Sequence, residues 1–155
     1  PDEGGDICPL NIGGSSTIRG IKVIMTNAVH TSDIMVGEAE VVAGSGACGY
    51  VLVTGDNIRV YFAGDTGVFG DMRLIADLYE PQIAIMPVGG KYNMGVREAA
   101  LAVRLVRPQV FIPMHYGTFS DQMADLEELE KLVRVSAPFT KLAILKQGES
   151  FDYPS

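Results

Sequence analysis

The sequence predicts a layered α/β protein built on a mixed β-sheet, and three observations carry that expectation. Strand-like runs come first, and two of them are joined by a tight-turn tripeptide, so the sheet begins antiparallel. From about residue 71 onward, amphipathic helical stretches alternate with short, almost wholly apolar runs, the pattern of strands covered on both faces. At 155 residues the chain has the size of one domain, able to bury roughly 70% of its unfolded surface in a single core.

Residues 1–14 are rich in glycine, proline and acids and show neither helical nor strand period, so they read as a loop. A strand follows over 21–28, where Ile21, Val23, Met25 and Asn27 alternate with Lys22, Ile24 and Thr26. His30 stands just beyond its end. Over 31–49 the glycines at 37, 44, 46 and 49 break any long element, and a loop of that length points to function. Strands at 50–54 and 58–63 flank Gly55-Asp56-Asn57, residues that tolerate the positive φ of a hairpin turn. A helix over 71–79 places Met72, Ile75, Ala76 and Tyr79 on one face and stops at Pro81. An apolar strand at 82–88 leads through the loop Gly89-Gly90-Lys91-Tyr92-Asn93 into a helix over 96–106, with Val96, Ala99, Ala100, Val103 and Val106 inward. The round repeats with a strand at 109–113 and a helix over 122–135, whose Met123, Leu126, Leu129, Leu132 and Val133 face the core. A strand at 142–146 ends the series.

Composition narrows the function. Twelve basic against nineteen acidic residues give a net charge of −7 with no basic block, which points away from nucleic acid as a partner. Cys8 and Cys48 lack the paired spacing of structural zinc sites and read as free thiols, implying a reducing, cytoplasmic compartment. No apolar run approaches the roughly twenty residues of a membrane helix. A mean hydropathy of +0.20 is high for so acidic a chain, and implies apolar surface that meets a partner.

The residues with metal or acid–base chemistry gather at predicted strand ends. Asp65 lies in Ala63-Gly64-Asp65-Thr66, directly after a strand, and His30 and His115, the two histidines present, each follow another. Taken singly, Asp65 reads equally as a turn former and His30 as an ordinary surface or core histidine. Together they offer the carboxylate oxygen and imidazole nitrogen that zinc, iron or manganese accept.

Ala28-Val29-His30, Ala63-Gly64-Asp65-Thr66 and Pro113-Met114-His115-Tyr116-Gly117-Thr118, in this order, resemble the later metal motifs of the metallo-β-lactamase superfamily. The likeness is to its branch of small metal-dependent hydrolases similar to ascorbate-6-phosphate lactonase. Phe69-Gly70-Asp71-Met72, Met94-Gly95 and the segment from Glu98 to Val103 support it. The resemblance implies a four-layered αββα sandwich with one or two divalent metals, zinc foremost and manganese or iron as alternatives. It also implies a metal-activated water that attacks an ester, lactone or phosphodiester in a small-molecule substrate. By that likeness His30 binds one metal, Asp65 bridges both and His115 binds the second. Thr66 then orients Asp65 or caps the next helix, Tyr116 holds substrate or packs, and Lys91 and Tyr92 meet an anionic substrate group.

The departure is large, because the superfamily's His-x-His-x-Asp-His motif is absent from the chain. Asp33 and Glu38, in the long loop, read as solvated charges rather than replacements. The chain is therefore expected to be a single, partial domain over 1–155, the C-terminal portion of the sandwich, whose site is completed by an N-terminal half supplied as a separate chain or missing segment. A homo-oligomer is also expected. The competing reading is a non-catalytic remnant that serves as a binding or interaction module.

Overall fold

The computed structural model describes residues 7–154, so the start of the expected 1–14 loop lies outside the described residues. Nine strands and three helices follow in the order β1 Ser15–Ile18, β2 Ile21–Asn27, β3 Ile34–Val36, β4 Glu40–Val42, β5 Cys48–Val53, β6 Arg59–Phe62, α1 Met72–Tyr79, β7 Ile83–Pro87, α2 Val96–Val106, β8 Val110–Met114, α3 Leu126–Ser136 and β9 Lys141–Leu142. Seven strands form one sheet in the order β1-β2-β5-β6-β7-β8-β9, and β3 and β4 form a separate two-stranded arm. Pairing is antiparallel from β1 to β6 and parallel from β6 to β9, which makes the mixed α/β sheet anticipated.

The β5–β6 hairpin turns where the tripeptide predicts, with Asn57 at φ 66° and the Asn57 N–H donating to the Thr54 carbonyl at 2.9 Å. Helices α1 and α2 stop for a shared reason. Glu80 and Arg107 adopt left-handed C-caps at φ 44° and 53°, and a proline follows each, so neither helix continues.

Alternation along the strands divides the apolar side chains between two faces. Ala84, Met86, Tyr61, Val51 and Phe111 join Met72, Ile75, Ala99, Val103, Leu129 and Val133 from the three helices in one core. On the opposite face Ile83, Val110 and Ala143 pack with Val60, Ile85, Ile112 and the C-terminal Phe151 and Tyr153. That second face is thinly covered, leaving Phe62 exposed. The described residues thus supply one helical layer and one large sheet of the four layers expected.

Several boundaries differ from the sequence reading. The 31–49 segment contains the β3–β4 arm, whose Ile34, Met35, Val36, Val41 and Val42 are all exposed, so no core burial marked it as strand. β1 falls between the expected 1–14 loop and the expected 21–28 strand, where no element was read, and none of its four residues is buried. Helix α3 starts at Leu126 rather than 122, since the Asp125 carboxylate caps it by accepting from the Glu128 N–H at 2.9 Å. Met123 consequently lies before the helix and is exposed instead of in the core. β9 is two residues long, beginning at Lys141. Cys8 and Cys48 are free, and among the described residues no helix is long and apolar enough to cross a membrane.

Candidate metal centre

The site is built where β2, β6, β7 and β8 all end. β6, β7 and β8 are mutually parallel, so the loops after them rise at one sheet edge. Asp65 sits in the loop after β6. Gly64 before it has φ +65°, and a Cβ there would stand 2.6 Å from the Cys48 carbonyl oxygen. Only glycine permits that approach of the β5 and β6 chains, which fixes where the carboxylate emerges.

His115 follows β8 with φ 59°, a left-handed conformation uncommon outside glycine and stored at sites where the surroundings impose it. The turn directs its ring back across β7 toward β6, so that Nε2 lies 3.4 Å from Asp65 Oδ2. Both side chains remain accessible, 32% for His115 and 46% for Asp65, enough for a ligand to reach them. The loop after β7 braces this pair. Asn93 Oδ1 accepts from the Gly89 N–H at 3.1 Å, and Asn93 Nδ2 lies 2.9 Å from His115 Nδ1. Gly89 itself leaves no room for a side chain, since a Cβ there would fall 2.3 Å from the His115 carbonyl oxygen.

His30 is placed differently. Its Nδ1 lies 2.7 Å from the Thr31 carbonyl oxygen, which can only accept, so Nδ1 carries a proton and, in the neutral ring, Nε2 keeps its lone pair. With Val29, Thr31, Gly67, Lys91, Tyr92 and Asn93 it lines an open cleft of about 440 Å³. Among the described residues no three His, Cys, Asp or Glu side chains are close enough to hold a metal ion. The structure therefore brings Asp65 and His115 together but does not bring His30 into one cluster with them. The donors are of the right chemistry for a divalent ion, with a preformed carboxylate–imidazole pair and a neighbouring imidazole whose lone pair is free. Their number falls short of a closed site.

The remaining expected residues take definite places. The buried Thr66 hydroxyl accepts from the Val29 N–H at 2.9 Å and donates its single proton to the Gly67 carbonyl at 2.7 Å. It neither donates to Asp65 nor caps a helix, because α1 begins after Asp71; it ties the His30 loop to the Asp65 loop. Tyr116 packs against the main core, which favours the packing role over substrate contact. Lys91 pairs with Asp121 and lies 5.0 Å from the Tyr92 ring centroid, at the rim of the His30 cleft. Asp33 and Glu38 are exposed. Sequence reading missed Asn93 and Asp121. Their signal was topological, since loops after adjacent parallel strands must be neighbours.

A larger cleft of about 490 Å³ lies at the opposite sheet edge, lined by Arg59, Glu80, Arg107 and Asp77 among others. Its arginines are already paired, Arg59 with Glu80 and Arg107 with Asp77. Its carboxylates, Glu80 and Asp77, are the partners in those ion pairs.

Known proteins similar to this chain share one family description. Residues 2–116 match the family described as the beta-lactamase superfamily domain. A protein named a metal-dependent hydrolase from Staphylothermus marinus is 47% identical over 144 residues, covering 93% of this chain and 58% of that protein. Another so named, from Thermofilum pendens, is 44% identical over 152 residues, covering 98% and 61% respectively. The chain thus spans about three fifths of the length of these curated relatives. Among solved structures, Igni18, titled a novel metallo hydrolase from Ignicoccus hospitalis, matches with TM-score 0.75 and 35% identity over 92% of this chain and 58% of that one. The metallo-beta-lactamase fold protein YhfI of Bacillus subtilis matches with TM-score 0.66 at 11% identity, over 90% of this chain and 52% of that one, a likeness of fold alone.

Proposed function

This chain belongs to the beta-lactamase superfamily domain family, and from that premise we propose that it forms the C-terminal side of a metal-dependent hydrolase acting on an ester, lactone or phosphodiester. The observation that carries the reading is the Asp65–His115 pair, a carboxylate and an imidazole held 3.4 Å apart at the shared end of parallel strands. Asp65 and His115 would hold a divalent ion, zinc foremost, with His30 contributing its bare Nε2 from the adjoining loop. Such an ion, when bound, lowers the pKa of a coordinated water enough to make it a nucleophile near neutral pH. Thr66 holds the His30 and Asp65 loops at a fixed separation through Val29 and Gly67. Lys91 and Tyr92, at the rim of the cleft, receive an anionic part of the substrate.

The donors among the described residues are too few, so the site would take further ligands from a segment carrying His-x-His-x-Asp-His, as a separate chain or an additional part of the same protein. The exposed Phe62 on the open sheet face and the exposed apolar side chains of the β3–β4 arm favour such a partner. Coexpression with that segment tests the proposal. A stable complex that hydrolyses one of these substrate classes and loses activity on chelation supports it, whereas a complex that forms without binding metal defeats it.

The absence of a three-donor cluster among the described residues favours a second reading, a non-catalytic module that keeps the fold and binds other proteins. A metal-free, well-folded oligomer of the chain, inert in the presence of the missing segment, would establish that reading instead.

A further inference from the structure

Helix α3 buries Leu129 and Val133 against the main core and turns a second face outward. That face carries Glu127, Glu130, Lys131 and Arg134, all exposed, at spacings that place them in one stripe along the helix. Glu127 with Lys131 and Glu130 with Arg134 have the spacing of internal ion pairs. None of the four joins an ion pair among the described residues, although Glu128 of the same helix pairs with Arg97 of α2 at 3.2 Å.

The order along the stripe is acid, acid, base, base, which complements itself when read backwards. A second α3 laid antiparallel against the first, with a two-fold axis between Glu130 and Lys131, sets Glu127 against Arg134 and Glu130 against Lys131 throughout. No contact along the stripe is then of like sign. Acids at the start of a helix and bases at its end also suit its dipole, but the dipole does not account for the apolar side chains beside them. Met123, just before α3, is 67% exposed, and Val135 and Phe139, in and beyond its last turn, are 82% and 97% exposed. Antiparallel pairing brings the Met123 end of one helix beside the Val135 and Phe139 end of the other, so apolar surface is covered at both ends of the stripe.

We propose that the outer face of α3 is a docking surface for a second copy of this chain, paired antiparallel about a two-fold axis between Glu130 and Lys131. The contact lies on the helical layer, across the sheet from the open face, so it does not depend on the metal site or on the segment that would complete it. A helix of 11 residues is about 16 Å long, a small footprint that makes the association weak and reversible. Its ion pairs are exposed, so salt weakens it further.

Sedimentation equilibrium of the full chain over a range of concentrations is the test. The expected result is a monomer–dimer equilibrium whose dissociation constant rises with salt. Glu127→Lys with Glu130→Lys makes the stripe wholly basic, and Lys131→Glu with Arg134→Glu makes it wholly acidic, with circular dichroism to confirm that the helices are kept. Each doubly substituted chain alone should dimerise at least roughly 10-fold more weakly than the parent, because every pair across the axis is then of like sign. An equimolar mixture of the two should associate again, one copy of each. Phe139→Ser, exposed and outside the helix, should also weaken the parent dimer. A monomeric parent overturns the proposal. So does a dimer that both charge substitutions leave unchanged, which would place the contact on the open sheet face or the β3–β4 arm. Association lost in each variant and not recovered in the mixture, with the helices intact, overturns the antiparallel pairing. A dimer indifferent to salt and to Phe139→Ser overturns the proposal even where a charge substitution unfolds the helix.

Discussion

His30 and His115 start from equivalent positions and end in different ones. Each follows a strand that runs parallel to β6 and lies two places from it, β2 across β5 and β8 across β7. At about 4.8 Å per strand spacing, both begin roughly 10 Å from the strand that delivers Asp65. His115 crosses that gap and His30 joins no three-donor cluster. The intervening strand makes the difference. β7 runs the same way as its neighbours, so its loop rises at the site edge and offers Asn93 and the close-packed Gly89 as a brace. β5 is antiparallel and merely begins there, so it supplies no loop to draw His30 inward. A parallel arrangement stacks loops at one edge, while the antiparallel part leaves His30 on a long connection tied down by Thr66.

The sharpest way to break this comparison is Gly89→Ala. The added methyl meets the His115 carbonyl and must push the β7 and β8 loops apart, at a cost of about 2–3 kcal/mol in chemical unfolding and with loss of the Asp65–His115 approach. The matching change on the His30 side, Gly67→Ala, meets only the Val29 carbonyl oxygen at 3.7 Å and should cost about 0.5 kcal/mol or less. Equal costs would mean that the two sides are not braced differently. Thr66→Val comes next. It leaves the Val29 N–H without its acceptor and should lower unfolding free energy by about 1–3 kcal/mol, with amide exchange quickening around His30 rather than His115.

The smallest effect belongs to the Lys91–Asp121 pair, a second clasp between the β7 and β8 loops. A hydrogen bond from Lys91 holds the Asp121 carboxyl below its ordinary range, and the same bond holds the Lys91 ammonium above its own. A depressed carboxylate contributes above its unfolded value and fades as pH falls through its folded one. A raised ammonium contributes below its unfolded value and fades as pH rises through its folded one. The clasp therefore acts throughout the interval between the carboxylate and lysine ranges. Lys91→Met should return the Asp121 titration, followed by ¹³C NMR, upward to its ordinary range, with little change in unfolding midpoint because both groups are solvated. An Asp121 titration that does not move would remove the clasp from the account.

The parallel half of the fold was the more legible in sequence, for the same physical reason that it is better braced. Residues 96–106 are a helix as predicted, because their apolar face is fully used against the sheet. The β3–β4 arm left no such trace, since its apolar residues face outward and alternation in a strand records burial. At the site, Asp65 and His115 could be read from glycine-flanked strand ends. Asn93 could not, because its role comes from a neighbour 22 residues away on an adjacent loop. His30 was read as an equal partner, and the antiparallel β5 between it and Asp65 explains why it is not drawn into the pair.

Asp65 and His115 are proposed to form one side of a metal site whose other ligands come from elsewhere. Zinc-edge anomalous scattering from crystals of the complex with the His-x-His-x-Asp-His segment tests it most directly. The expected result is a peak in contact with both Asp65 and His115 on this chain and with histidines of the added segment. A zinc peak bound by the added segment alone, or no zinc in an intact complex, would contradict it.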